Sequence, residues 1–135
     1  MNGGRQKDVV LILARELASN LATPMLVLDH NGTLIFFNEA AETIMGTTFA
    51  SVGEIPAAEW DAKWPTADAD GVPMSLLDSP LAVAVTEQEP AHQVIVVTGL
   101  DGVKRRLSTT VYPLFGSGHR FVGAQAVFWQ EGDNP

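Results

Sequence analysis

Apolar positions in this chain come in short runs broken by turn residues, and their spacing changes twice from one end to the other. Over residues 8–21 they recur every three or four positions. Val10, Leu13, Ala14, Leu17, Ala18 and Leu21 form one stripe, which predicts a helix. Val9, Leu11 and Ile12 lie outside that stripe, so the first half of the helix is apolar nearly all round. This is more apolar surface than one packing face uses, and it predicts a dimer interface.

Residues 24–46 change register. Met25–Leu28 and Leu34–Phe37 are two strand-like runs around the dipeptide Asn31-Gly32, whose preference for positive φ predicts a hairpin. Asn38 then predicts a helix N-cap, because its side-chain oxygen can accept from a free backbone N–H of the first turn. Glu39 and Glu42 lie near the positive helix end, Ala41, Ile44 and Met45 give an apolar face, and Gly46 supplies the stop.

Residues 47–75 are the least regular. Trp60 and Trp64 stand four apart, on one face of a short helix, and the run Thr66–Pro73 reads as a polar loop. Helical character returns over Ser75–Glu87. Pro80 is uncomfortable inside a helix, so the main helix is expected to start near Ser79 with Pro80 in its first turn. The last third alternates with period two. His92–Thr98, Val103–Tyr112 and Phe121–Gln130 read as three strands of an antiparallel meander, with a turn at Asp101-Gly102. No internal repeat is visible.

A chain of 135 residues that is 46% hydrophobic can bury one full core, which excludes a disordered segment. It has no run long enough for a transmembrane helix. It also has no cysteine, which removes disulfides, Cys-bound zinc, iron–sulfur clusters and thiol chemistry, and fits a cytoplasmic location. The net charge is −8, and Lys63 is the one base among ten carboxylates between Glu39 and Glu89. Such a surface repels a phosphate backbone, so no nucleic-acid partner is expected. Lys104-Arg105-Arg106 reads as the solvated part of a strand.

The pieces Leu28-Asp29-x-Asn31-Gly32, Phe37-Asn38-x-x-Ala41 and Met45-Gly46 follow one another in the first third. Asp70-Gly71-x-Pro73, Ser79-Pro80-Leu81, Asp101-Gly102 and Val122-Gly123 follow, ahead of an apolar final strand. In this order and spacing, over roughly residues 22–130, the layout resembles the PAS domain family. The resemblance implies an α+β fold: a five-stranded antiparallel sheet with short helices on one face, here with an N-terminal amphipathic helix added. It divides the chain into a dimerising helical segment (1–21), a PAS-like sensor domain (22–130) and a tail (131–135). Val94–Val97 and Ala126–Trp129 are apolar on both sides, so the outer sheet face needs a cover. The N-terminal helix, or a partner's copy of it, is the expected one.

The resemblance also implies a non-enzymatic cytoplasmic sensor module. It would be a homodimer through residues 8–21 and the outer sheet face, and would act on a protein effector or a fused output domain. A ligand, where such domains hold one, sits between sheet and helices. Here Trp60, Met74, Leu77, Leu81 and Val85 are expected to face Ile35, Phe37, Val96 and Leu107. That set serves equally as packed core or as a cavity for an apolar or flat molecule. Photochemistry through a cysteine is excluded, which leaves haem or noncovalent flavin as the alternative cofactors. Haem-binding members use a histidine on the helix before the third strand. The segment Ser79–Gln88 has none, and His92 is the near candidate.

Catalytic chemistry is thin. His30, His92 and His119 have no metal-ligand spacing, and Asp68 with Asp70 lacks a third ligand. Gly116-Ser117-Gly118 leads into no helix, so it is no phosphate loop. A small α+β-cone enzyme is the remaining alternative. It needs a carboxylate base, and Asp29, flanked by strand residues, sits where a turn role is expected instead.

Overall fold

The computed structural model describes residues 8–130; the expected tail 131–135 and residues 1–7 lie outside the described residues. The chain opens with α1 (Val9–Ser19) and the hairpin β1 (Met25–Asp29) and β2 (Leu34–Phe37). Three short helices follow: α2 (Glu39–Met45), α3 (Phe49–Val52) and α4 (Ala57–Lys63). A small hairpin, β3 (Thr66–Asp68) and β4 (Pro73–Met74), leads through a 3-10 turn to α5 (Pro80–Ala82). The helix widens to π-helical geometry over Val83–Glu87. Strands β5 (Ala91–Thr98), β6 (Lys104–Phe115) and β7 (Phe121–Gln130) close the fold.

The sheet has seven strands in the order β2-β1-β7-β6-β5-β3-β4, with every pairing antiparallel. Five of these are the expected ones. The two additional strands come from the stretch read as a polar loop. The Asp68 carboxylate accepts from the N–H groups of Asp70 and Val72, and Gly71 takes φ +85°, which tightens the turn. Pro73 then sits in an edge strand, where its missing N–H costs nothing. Strands of three and two residues are too short to display an alternation.

Capping places the helices. Asn38 caps α2 through Ala41 N–H at 3.0 Å, and Gly46 ends it in the left-handed conformation. Ser79 precedes α5 and Pro80 occupies its first turn, as expected. At the first hairpin only Gly32 takes positive φ. Asp29 holds this turn by accepting from Asn31 and Thr33 N–H, the structural role expected of it.

The sheet separates two cores. The helices from α2 to the π-turn cover its inner face, where Leu26, Leu28, Phe37, Trp64, Leu107 and Phe128 are among the buried side chains. On the outer face, Leu11 and Ala14 of α1 pack on Val27, Ile35 and Val122. The expected stripe of α1 is therefore half wrong. Leu11, Ala14 and Ala18 are buried, whereas Leu13 and Leu17 are 61% and 55% exposed, with Leu21 and Val9 beside them. The cause lies in the sheet below. Gly123 has no side chain, and a Cβ there would come within 2.9 Å of Leu11 Cδ2. Leu11 fills that space, and the two alanines let the helix approach closely.

Candidate functional site

The inner face holds the site that the fold builds. Between sheet and helices lies a small cavity of about 10 Å³, lined by Ile44, Met45, Trp60, Leu81, Leu107 and Phe128 among others. That volume takes about one water molecule. Thr66 and Ser79 also line it, but their hydroxyls already donate to Trp64 and Leu76 carbonyls. The inner face is thus filled by its own side chains. On the same face of β6, between Leu107 and Val111, the Thr109 hydroxyl is fully buried with no hydrogen-bond partner among the described residues.

Of the nine residues expected around an interior pocket, Trp60, Leu81 and Leu107 line this cavity. Phe37 is in the same core, and Met74 and Val85 pack half-buried against it. The other three go elsewhere. Ile35 belongs to the outer cluster under α1. Val96 lies on the outer face beside Lys104, as its alternation with the buried Ile95 and Val97 requires. Leu77, in the 3-10 turn, is 82% exposed. The sequence reading missed Ile44, Met45, Ile95, Val97 and Phe128 as cavity lining. The period-two pattern of β5 and β7 and the apolar face of α2 were the signals for them.

His92 alternates with the inward-facing Ile95 and Val97 and shares the outer face. It is exposed there, its Nε2 2.9 Å from Ser108 Oγ. It therefore points away from the cavity, where a haem ligand would have to be.

Helix α2 connects the two cores. At its C-terminal end, the Met45 carbonyl accepts from Trp64 Nε1 at 3.0 Å and from Leu100 N–H at 2.8 Å. Arg105 donates to the Ile44 carbonyl at 3.3 Å and to Asp101 at 3.2 Å. This guanidinium bond, with the Val103 N–H, holds the Asp101 carboxyl below its ordinary range. At its N-terminal end, the buried Asn38 amide donates to the carbonyls of Ala18 at 2.9 Å and Thr23 at 2.8 Å. Its oxygen accepts from Met25 N–H at 3.1 Å and from Ala41 N–H.

The outer face is covered in part. Arg15 lies over the Phe36 ring at 4.7 Å, on the flank of α1 toward β2. The opposite flank carries the exposed Leu13 and Leu17. On the sheet, Trp129 of β7 is 54% exposed. Tyr112 donates to Gln125 Oε1 at 2.8 Å on the same face, and burial pushes the phenol's pKa up. Among the described residues no helix is long and apolar enough to cross a membrane. None of their side chains form a group of three or more metal-ligating residues.

No protein-family model matches the sequence, and no curated protein matches it. Solved structures do. The PAS domain of a protein from Colwellia psychrerythraea aligns with a TM-score of 0.64 at 18% identity, covering 93% of this chain and 99% of that one. The PAS domain of nitrogen regulation protein NR(II) from Vibrio parahaemolyticus gives a TM-score of 0.57 at 19% identity, over 87% of this chain and 97% of that one. The light-state dimer of the fungal blue-light photoreceptor Vivid gives 0.60 at 12% identity, over 82% of this chain and 78% of that one. Identities this low speak for the fold alone, and the fold is PAS-like.

Proposed function

We propose that this PAS-like domain is a non-enzymatic sensor module of a cytoplasmic signalling system. It works as a homodimer and passes a change of packing in its inner core to a regulatory partner or a fused output domain. One observation carries the reading: apart from Leu11, α1 turns its small residues inward and its large apolar ones outward. Ala14 and Ala18 are buried, while Val9, Ile12, Leu13, Leu17 and Leu21 are exposed next to a sheet face that α1 covers only in part. A helix arranged so gains most by packing against a second copy of the same surface. The named nitrogen regulation and photoreceptor neighbours, the latter a dimer, fit this reading.

The signal in this reading is mechanical. The inner cavity is about the size of one water, so a ligand acts by opening the arm Pro80–Glu87. A ligand or partner shifts the balance only through different affinities for the closed and open packings. Haem is a weaker candidate because His92 lies on the far side of the sheet, and haem and noncovalent flavin alike need far more room than the cavity offers. An absorption spectrum after reconstitution with either one checks this, since a visible band that survives gel filtration would revive them.

Light scattering over a concentration series tests the dimer. The expected mass is that of two chains at high concentration, falling to one in Leu13→Glu and Leu17→Glu, both of which keep the parent's melting temperature when diluted. A parent that stays monomeric at the highest concentration reached removes the dimer from the proposal.

A further inference from the structure

Two cores on opposite faces of a sheet ordinarily respond to each other only through the sheet. Here a buried polar side chain joins them directly. Asn38 is 1% exposed, and its amide and oxygen each make two good hydrogen bonds. The oxygen serves the inner layer, as the cap of α2 and a tie to Met25. The amide serves the outer layer: it holds the Ala18 carbonyl, at the C-terminal end of α1, and the Thr23 carbonyl in the link that follows. A third, longer contact reaches the Leu21 carbonyl at 3.4 Å. A primary amide is the one side chain that can do both, since it alone carries two donors and a two-lone-pair acceptor on one planar group.

The far end of α2 is fixed to the cavity wall. Ile44 and Met45 line the cavity, and their carbonyls are held by Arg105, Trp64 and Leu100. The helix between is seven residues long, about 10 Å of rigid strut. At its end Gly46 packs directly on the β5–β6 turn, where a Cβ would come 2.5 Å from the Asp101 backbone nitrogen.

We infer that Asn38 couples the cavity wall to the seat of α1, so that movement of α2 loosens the C-terminal end of α1. As regulation this rests on the sensor reading above, but the coupling itself is within one chain. Asn38 acts as a positioning residue. It touches no cavity and would touch no ligand.

Hydrogen exchange of the Asn20 and Leu21 amides reads the coupling, since both close the end of α1 by bonding to Leu17 and Ala18 carbonyls. Trp64→Phe removes the donor to Met45, and Arg105→Met removes the donor to Ile44. Each is expected to speed exchange at Asn20 and Leu21 by about tenfold, the worth of one net hydrogen bond, with the β7 amides unchanged as internal standard. Asn38→Ser keeps an oxygen for the α2 cap but cannot reach α1. It should speed exchange by itself and abolish the further effect of either substitution. Asn38→Asp, which keeps the acceptor and loses both donors, should behave as Asn38→Ser does. The inference is overturned if Trp64→Phe and Arg105→Met leave Asn20 and Leu21 at the parent rate. It is equally overturned if they accelerate exchange by the same factor in the Asn38→Ser background. The measurement is made at a dilution where light scattering gives one chain. A protein monomeric at every concentration then ends the dimer proposal and leaves the coupling standing.

Discussion

Asp8 and Arg120 meet at 2.5 Å although 112 positions separate them, fastening the N-cap of α1 to the turn between β6 and β7. The same carboxylate caps the helix by accepting from Val10 N–H at 2.9 Å. Both bonds favour the charged form, Arg120 more than Val10, and hold the Asp8 carboxyl below its ordinary 3.8. The sign follows from that direction. A depressed carboxylate stabilises the fold above its unfolded pKa, and the contribution is lost as pH falls through the lower, folded value.

The amide shift of Val10 followed by NMR should accordingly be flat from neutral pH down to the ordinary carboxylate range, and then titrate with a midpoint below 3.8. In Arg120→Ala the midpoint rises toward the ordinary value. In Asp8→Asn the step disappears, while the amide stays capped by a neutral oxygen. A Val10 midpoint that Arg120→Ala leaves in place would show that the two side chains do not meet in solution.

Gly46 and Asp101 make a second close pairing, between the end of α2 and the β5–β6 turn. Gly46 has φ +73°, and a Cβ on it would lie 2.5 Å from Asp101 N and 2.7 Å from Leu100 N, both backbone atoms. Gly102 also has positive φ, at +80°, but a Cβ on it would meet nothing within 4 Å. Gly102→Ala therefore carries only the conformational strain, and Gly46→Ala carries the clash as well. Urea unfolding should show Gly46→Ala less stable than Gly102→Ala by about 1–3 kcal/mol, the usual cost of forcing atoms into a packed site. Equal midpoints would mean that the β5–β6 turn lies further from α2 than this packing has it.

Leu11 and Leu13 separate what the sequence pattern could show from what it could not. The period of residues 8–21 announces a helix, but it contains two apolar stripes, and periodicity does not say which one meets the sheet. Gly123 decides, more than a hundred positions away, by leaving room for Leu11. The same limit applies to the interior. Trp60, Leu81 and Leu107 declared themselves as inward-facing, but Ile35 and Val96 sit on strands apolar on both sides, where composition does not distinguish the faces. Asp29, Asn38, Gly46 and Pro80 were legible because each does local work, holding a turn or bounding a helix within a few residues. The hairpin of β3 and β4 was not, because it forms by adding to the edge of β5, a pairing outside its own sequence. Leu11→Ala is expected to cost about 2–4 kcal/mol in urea unfolding. Leu13→Ala, at a residue 61% exposed, should stay within about 0.5 kcal/mol when the chain is dilute. The reverse order would restore the stripe read from the sequence.

Thr109 gives the sharpest sign. Its hydroxyl is buried on the inner face of β6, flanked by Leu107 and Val111, and has no partner among the described residues. A buried hydroxyl without a hydrogen bond costs about 1–3 kcal/mol relative to its hydrated state in the unfolded chain. Valine has nearly the same shape and the same preference for a strand, and it carries no such cost. Thr109→Val should therefore stabilise the protein by about 1 kcal/mol, raising the urea midpoint with no change in slope. Thr109→Ala removes the hydroxyl and the methyl together. It opens a void and should fall below Thr109→Val, which separates the polar effect from the packing effect. If Thr109→Val is instead destabilising, the hydroxyl has a partner in solution. The inner face would then be wet at its centre.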